Sequence, residues 1–373
     1  MTPKERFINT LTFRPVDRMF NMEIGLWPQT VERWLREGAP ADLDTVLIHG
    51  DTHFGLDSLG GYTSGFSVPI NTCGPLPPFE YRVLEENEEH IVFLDSLGRT
   101  RKGLKVNGKY TSVCMDHYID FAVKDRKGFL AMRTRYEGDP AERYPKNWDI
   151  FVARVARTDD PVIGPCNMFG FYSMLRNWMG TENLSYLFYD NPALIHECLE
   201  FLTDHIIKVL ARAAGHVAYD FSIIHEDLAG KGGPLIGANL FREFLLPHYK
   251  RYVEFLKSKA GLKLVMVDTD GDFEILIPLF LEAGIDGFNP MEVAAGMDPV
   301  VLRKKYGKSF CMFGGVDKRE IAKGRHAIDA HLARLAPVVR EGGLIPCIDH
   351  TVPPDVSFAD FQYYMERKRV ILG

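Results

Sequence analysis

From about residue 158 onward, short apolar runs alternate with longer stretches of helical periodicity. This alternation is typical of βα units, in which helices cover a parallel sheet. It predicts strands at 221–224, 262–267, 285–288, 310–313 and 344–348. Helices are predicted between them at 239–260, 273–283, 298–306 and 327–340. An α/β architecture, and a large (β/α)8 TIM barrel in particular, is the fold that this half of the chain favours.

Two further helices are marked by their start signals. Asn191 precedes Pro192 and a long amphipathic stretch, the arrangement of a capping residue followed by proline in the first turn. Ser357 is followed three residues later by Asp360, a capping-box pattern that predicts the start of the last helix.

The first half of the chain reads differently, because residues 89–114 have the pattern of an antiparallel β-hairpin. An apolar strand at 91–94 is followed by the turn residues 95–98 and then by an alternating stretch. We interpret this segment as an insertion in a single domain comprising residues 1–373, since no linker or low-complexity segment divides the chain.

Composition narrows the class of partner. The net charge of −6 disfavours nucleic acid or an anionic membrane, because both require a basic face. No apolar run reaches the length of a membrane span, and the amino terminus lacks the apolar region of a signal peptide. The six cysteines include no C-x-x-C pair, which indicates a reducing compartment. We therefore expect a cytoplasmic protein that acts on a small molecule.

Polar residues directly follow each predicted strand. In a barrel, the carboxyl ends of all strands open on one face, so these side chains should converge. Capping of the next helix explains Asp272 and Asp298, but Glu226, Glu292 and His350 are poor capping residues. The set therefore indicates an active site; its members are His225, Glu226, Asp227, Asp268, Asp270, Asn289, Glu292, Asp317, Lys318, Arg319, Asp349 and His350.

Two kinds of chemistry fit this set. Carboxylates beside a histidine can act as general acid and base, and the same residue types can hold a divalent metal such as zinc. The glycine-rich stretch around Lys231 lacks the spacing of a phosphate-binding loop and is expected to cover the pocket. Trp178 is a candidate wall of an apolar ligand site, with core packing as the alternative. Cys347 is a candidate metal ligand, again with core packing as the alternative.

Several motifs together resemble the uroporphyrinogen decarboxylase-like superfamily. They include Arg14-Pro15-Val16-Asp17-Arg18, Glu226-Asp227, Gly233-Pro234-Leu235-Ile236, Val267-Asp268-Thr269-Asp270-Gly271, Gly314-Gly315-Val316-Asp317-Lys318-Arg319 and Asp349-His350-Thr351-Val352-Pro353-Pro354-Asp355. The resemblance implies a (β/α)8 barrel and one of two activities. These are cofactor-free decarboxylation of uroporphyrinogen, and zinc-dependent methyl transfer to or from corrinoid proteins.

The sequence departs from both activities. The arginine-rich motif of the decarboxylases is missing from residues 22–28, where a polyanionic porphyrinogen would meet Glu23. His350 resembles the carboxy-terminal histidine of the decarboxylases, and Asp51 or Asp57 their central aspartate. In the methyltransferases, a His-x-Cys pair stands where this chain has Asp268-Thr269-Asp270, and Cys347 lies near the place of the later cysteine ligand.

These observations lead to the following prediction. We predict that the chain is a methyltransferase that moves a methyl group between a small methylated substrate and a corrinoid protein. Zinc is held by some of His225, Asp268, Asp270, Glu292 and Cys347, and polarises the atom that bears the methyl group. The predicted catalytic residues are His350, Asp349, Glu226, Asp227 and Lys318, and the substrate-binding residues are Asp317, Arg319, Asn289, Lys231 and Trp178. The alternatives are a decarboxylase and a non-catalytic binding barrel, and a homodimer is expected from the resemblance.

Overall fold

The computed structural model describes residues 1–43, 53–59, 70–106, 108–110, 116–162, 164 and 169–373. The strands in these residues are β1 (Arg82–Glu86), β2 (His90–Leu94), β3 (Thr100–Val106), β4 (Lys109–Tyr110), β5 (His117–Asp120), β6 (Phe221–His225), β7 (Ala229–Gly230), β8 (Gly233–Pro234), β9 (Leu264–Asp268), β10 (Gly287–Met291), β11 (Cys311–Val316) and β12 (Leu344–Ile348).

The α-helices are α1 (Pro3–Leu11), α2 (Pro28–Arg36), α3 (Arg126–Arg133), α4 (Trp148–Val155), α5 (Phe171–Met179), α6 (Thr181–Asp190), α7 (Pro192–Ala211), α8 (Ala238–Leu240), α9 (Leu246–Ser258), α10 (Ile277–Glu282), α11 (Pro299–Tyr306), α12 (Lys318–Ile321), α13 (Arg325–Arg340) and α14 (Phe358–Leu372). A π-helical turn at Phe241–Leu245 joins α8 to α9, and short 3-10 turns lie at Pro140–Arg143, Glu274–Leu276 and Val293–Ala295. Within the described residues, no helix is both long enough and apolar enough to cross a membrane.

A parallel sheet organises the carboxy-terminal half. In the described residues it has five strands in the order β12-β11-β10-β9-β6, and every neighbouring pair is parallel. All five predicted strands are present, displaced by at most two or three residues, with helices between them. This arrangement confirms the α/β class, because parallel neighbours must be joined by crossover connections.

The two faces of the parallel sheet are both buried. Alternate residues point to opposite faces of a strand, so Val265 packs against the helices while Leu264 and Met266 pack on the other side. There they meet Phe7 of α1, together with Phe20 and Met22 of the chain that follows it. Burial on both faces explains why the strands are apolar throughout their length rather than alternating.

Helix caps form where the sequence predicts them. The Asn191 side chain accepts a hydrogen bond from the backbone N–H of Leu194 at the start of α7, and Ser357 accepts one from Asp360 at the start of α14. Asp298 caps α11 in the same way, by accepting from Val300. These side chains satisfy backbone donors that have no partner inside the helix.

An antiparallel sheet formed by β1–β5 projects from the first half of the chain. Strands β2 and β3 pair antiparallel, which confirms the hairpin predicted within residues 89–114. The sheet is larger than that prediction, since β1 pairs with the outer edge of β2 and β5 pairs with β3. We call it the insertion sheet.

Glu23 is completely buried next to the end of β12 rather than exposed in an open site. Its carboxylate binds Lys368 at 2.7 Å and the Tyr364 hydroxyl at 2.6 Å, and it accepts the backbone N–H of Ile348 at 2.8 Å. Neither Glu23 nor Lys368 is exposed. The expectation that a substrate would meet Glu23 is therefore wrong, because internal partners occupy this carboxylate.

Candidate functional site

The carboxyl end of the parallel sheet brings together side chains at the ends of β6 and β9 and within β10. His225 ends β6 and Asp268 ends β9, and the paired register of these strands places the two residues opposite each other. His225 Nδ1 lies 2.6 Å from Asp268 Oδ2. The amide of Asn289 donates to the other oxygen of Asp268 at 2.9 Å. Asp268 is thereby held in place from both sides, and it fixes the orientation of the imidazole.

The environment of His225 favours its protonated form. Burial disfavours the charged imidazolium, but the hydrogen bond to Asp268 and the charges of Asp268, Asp227 and Glu226 outweigh burial and raise the pKa of His225. The side chain remains 45% exposed, so it is accessible to a ligand. A solvent-facing histidine whose pKa is raised by a carboxylate partner has the chemistry of a general acid.

A second histidine, His350, lies near the same carboxyl end of the sheet. We call the space above these strand ends the opening. His350 Nε2 lies 3.9 Å from Asp270 Oδ2, and its ring stacks on Trp27 with 6.1 Å between the ring centroids. Burial raises the pKa of Asp270; the nearby His350 lowers it, whereas Asp268 and Glu292 raise it further. Asp270 thus has more negatively charged than positively charged neighbours.

Lys318 supplies positive charge at this end of the sheet. Its Nζ lies 3.3 Å from Glu292 Oε1 and 3.8 Å from Asp349 Oδ1, and its backbone N–H donates to the same Asp349 oxygen at 3.2 Å. Glu292 also accepts the backbone N–H of Gly271 at 3.2 Å. We refer to Lys318, Glu292, Asp349 and the Gly271 backbone as the open lysine cluster.

Asp349 is the buried member of the open lysine cluster. Its side chain has no exposure, and burial raises its pKa to about 6 although the charge of Lys318 opposes this shift. Its second oxygen accepts the backbone N–H of Val293 at 3.1 Å. Asp349 therefore positions Lys318 and the loop after β10 from below.

Asp227 binds an arginine that the sequence analysis did not single out. Two guanidinium nitrogens of Arg176 on α5 donate to Asp227, one to its carboxylate and one to its backbone oxygen. A charged side chain in a helix whose other residues are mostly buried was the available signal for Arg176. The pair connects α5 to the end of β6.

Glu226 does not line the opening, which corrects its predicted catalytic role. It has no exposure and accepts the backbone N–H groups of Tyr172 at 3.1 Å and Ser173 at 2.9 Å, at the start of α5. The hydroxyls of Ser173 and Tyr249 also donate to it. A carboxylate at a helix amino terminus is stabilised by the free backbone N–H groups there, so Glu226 anchors α5 to β6.

Two further predictions are corrected by burial. Trp178 is only 2% exposed and packs against Tyr136 and Phe129, so it belongs to the core. Cys347 is not exposed, and its burial raises the pKa of the thiol well above its usual range. Because a metal binds the thiolate, this environment disfavours ligation.

Three predicted substrate-binding residues, Asp317, Arg319 and Lys231, have contacts within their own loops or are exposed. Asp317 is buried, caps α12 and binds Arg319 at 2.7 Å, so its carboxylate serves the fold while Arg319 remains exposed. Lys231 is exposed at the turn of the β7–β8 hairpin. This hairpin is docked on the next loop, since Asp272 N–H donates to the Gly230 carbonyl at 2.9 Å.

Two residues are candidates for a central aspartate, Asp51 and Asp57. Asp51 lies outside the described residues. Asp57 is buried and bridges Arg6 at 3.1 Å and Arg18 at 2.6 Å. Its two arginines hold the amino-terminal segment together, which is a structural role.

The predicted zinc ligands do not form one coordination set. Asp268 binds His225 and Asn289, and Glu292 binds Lys318 and a backbone N–H. In the part of the chain that is described, no three His, Cys, Asp or Glu side chains are grouped so that they could hold a metal ion. The donor arrangement therefore does not fit zinc, and it fits acid–base chemistry through hydrogen-bonded pairs.

A cavity of about 970 Å³ adjoins this opening and lies between the insertion sheet and helices α5 and α6. We call it the side cavity. Asp227, Arg176 and Trp27 belong both to its wall and to the surroundings of the strand ends. The rest of the wall is formed by Arg101, Asp116, His117, Tyr118, Ile119, Phe121, Asn177, Met179, Gly180, Thr181, Glu182, Asn183 and Tyr186.

Comparison with known proteins identifies the family. The sequence model described as uroporphyrinogen decarboxylase (URO-D) matches residues 161–369, which include every strand of the parallel sheet. A methyltransferase from Methanosarcina mazei has a similar structure, with a TM-score of 0.62 and 14% sequence identity over 100% of both chains. No curated protein sequence matches the chain. The family match covers more than half of the residues, and the chain therefore belongs to the uroporphyrinogen decarboxylase (URO-D) family.

Proposed function

We propose that the protein is a methyltransferase that removes a methyl group from a heteroatom of a small substrate and passes it to a corrinoid protein. The observation that carries the proposal is the exposed His225, held by Asp268 and with its pKa raised. The similar fold of a methyltransferase agrees with it. The five parallel strands would then belong to an eight-stranded barrel whose open end holds the substrate.

The acid–base residues suit the chemistry of the leaving group. When a heteroatom loses a methyl group to a nucleophile, it retains the bonding electron pair and is stabilised by receiving a proton. His225 Nδ1 is bound to Asp268, so Nε2 is the atom that would deliver the proton. Asp268 keeps the imidazole in position before and after the transfer. The corrinoid of the partner protein would supply the methyl acceptor.

The charge of the opening disfavours the alternative substrate, a polycarboxylate. Arg176 is bound to Asp227, and Lys318 to Glu292 and Asp349. A substrate with several carboxylates needs arginines that are free to bind it bidentately, and it would have to displace these internal partners. A methylated substrate of low charge has no such requirement.

The test is methyl transfer to free cob(I)alamin, followed by the absorbance change on formation of methylcobalamin. Methoxybenzene, dimethyl sulfide and trimethylamine serve as donors. We expect His225→Gln to lower the rate about 10²–10⁴-fold, because glutamine can bind Asp268 but cannot donate a proton as an acid. His326→Gln is the matched control, since His326 is exposed in the first turn of α13 and is not one of the strand-end residues.

The pH profile gives a second readout. The rate should fall as the pH rises through the raised pKa of His225, and Asp268→Asn should move this fall to lower pH because the partner that raises the pKa is lost. Equal rates for the wild type and His225→Gln would overturn the assigned role. Release of CO₂ from a carboxylated substrate without methyl transfer would replace the proposal by decarboxylation.

A further inference from the structure

We propose that the side cavity binds the body of the substrate, and that this body is an aromatic ring without negative charge. The inference rests on the proposed function for the identity of the reacting end. It adds the class of substrate and the residues that select it. Three observations carry it: the position of the cavity, the aromatic residues of its wall, and the pairing of its charged residues.

The position of the side cavity connects it with the acid–base residues. Asp227 lies two residues after His225 and forms part of the cavity wall. Trp27 is also in the wall, and its ring stacks on His350. A ligand in the cavity can therefore place one end beside the two histidines. A volume of about 970 Å³ is within the range that holds a small-molecule substrate.

Aromatic side chains approach the cavity from both of its sides. Tyr118 and Phe121 come from the insertion sheet and the chain after it, and their rings stack with centroids 6.1 Å apart and 20° between the planes. Tyr186 of α6 faces the same space from the other side. Aromatic rings favour stacked or edge-to-face contact with another ring, so these walls suit a flat apolar ligand.

Both arginines of the wall are already paired with carboxylates. Arg101 binds Asp116 at 2.5 Å and Asp95 at 3.6 Å, and Arg176 binds Asp227. The wall also contains Glu182, in the first turn of α6. An anionic ligand would have to break a salt bridge and approach this additional carboxylate, and both steps cost free energy. A ring without a carboxylate avoids both costs.

The insertion sheet would thus determine specificity, while the strand ends perform the chemistry. Phe121 has a further packing role, since a Cβ at Gly180 would come within 2.4 Å of its ring. Tyr186 is 61% exposed, so its removal leaves the core intact. Tyr189 is on the same helix and is 73% exposed, but it is not part of the cavity wall. The pair Tyr186 and Tyr189 therefore offers a matched comparison.

The experiment measures equilibrium binding, without turnover, of methoxybenzene and 4-methoxybenzoate by calorimetry and saturation-transfer NMR. We expect methoxybenzene to bind at least about tenfold more tightly than 4-methoxybenzoate, which differs by one carboxylate. Phe121→Ala and Tyr186→Ala should each weaken methoxybenzene binding about three- to tenfold. Tyr189→Ala should bind as the wild type does.

Binding separates this inference from the proposed function. His225→Gln should bind methoxybenzene like the wild type even though its methyl transfer is much slower, because His225 acts on the leaving group and is not part of the cavity wall. If methoxybenzene binds but no donor is demethylated, the proposed function fails and the side cavity remains a ligand site. Equal or tighter binding of 4-methoxybenzoate, or unchanged binding by both Phe121→Ala and Tyr186→Ala, overturns the inference.

Discussion

Lys368 and Lys318 each bind a glutamate, but they do so in opposite surroundings. Lys368 and Glu23 are both fully buried at 2.7 Å, with further hydrogen bonds from Tyr364 and Ile348 to the carboxylate. In the open lysine cluster, Lys318 is 22% exposed and lies 3.3 Å from Glu292. A short ion pair between fully buried side chains stabilises the fold. A longer ion pair between partly exposed side chains leaves charges that a ligand can bind.

The sealed pair should control stability. Lys368→Met leaves the Glu23 carboxylate buried without its cation, and we expect the free energy of unfolding to fall by about 3–5 kcal/mol. Urea denaturation followed by circular dichroism measures this change. Lys318→Met is the counterpart, with an expected loss within about 1 kcal/mol because solvent reaches this lysine. Similar losses for the two variants would remove the distinction between the clusters.

The loop that supports the open lysine cluster should be the next most sensitive element. Gly271 has a φ of +78°, and a Cβ there would lie 2.6 Å from the Gly230 carbonyl oxygen. Gly271→Ala therefore combines backbone strain with a clash against the β7–β8 hairpin. We expect a loss of about 2–4 kcal/mol in the free energy of unfolding, together with a lower rate of methyl transfer.

Gly296→Ala is the matched control for this substitution. Gly296 has a φ of +100°, but a Cβ there would meet nothing within 4 Å. Strain alone should cost it about 1–2 kcal/mol. If Gly271→Ala is no worse than Gly296→Ala, the contact between the hairpin and the loop does not support the cluster.

The raised pKa of Asp349 makes the stability of the open lysine cluster depend on pH. In the folded protein the pKa of Asp349 is about 6, whereas the usual pKa of an aspartate is 3.8. Folding therefore takes up a proton at a pH between these two values. Stability from this group is therefore lost as the pH rises through that window. Relative to Asp349→Asn, the wild type should lose up to about 3 kcal/mol of unfolding free energy between pH 4 and 7. A difference between the two proteins that does not change with pH would contradict the raised pKa.

Local sequence signals predicted much of the fold. The caps at Asn191 and Ser357 and the strands of the parallel sheet could be recognised because each depends on residues that are close in the chain. The convergence of His225 and Asp268 followed from the rule that parallel strands end on one face. The insertion sheet was recognised only in its central hairpin, since β1 and β5 join it through pairing with distant strands.

Other parts of the site depend on contacts that no local pattern reveals. Glu226 and Asp227 are adjacent in the sequence but have different partners. Glu226 accepts a backbone N–H at the start of α5, whereas Asp227 binds Arg176. Cys347 has the apolar neighbours of a core residue, and its strand turns it towards the interior. A stretch of polar residues after a strand therefore predicts that a site exists, but tertiary packing decides which of them reach it.

The anchoring of α5 by Glu226 has a consequence for how new specificities can arise in this protein. Glu226 and Asp227 tie α5 to β6, so the inner wall of the side cavity and His225, the proposed proton donor, form one unit. Tyr118 and Phe121 lie outside this unit, on the insertion sheet and next to it. If the proposed roles hold, substitutions at Tyr118, rather than at Phe121, which packs against Gly180, can change the shape of the side cavity while His225 and Asp268 stay in place, so selectivity and catalysis can evolve as separate traits.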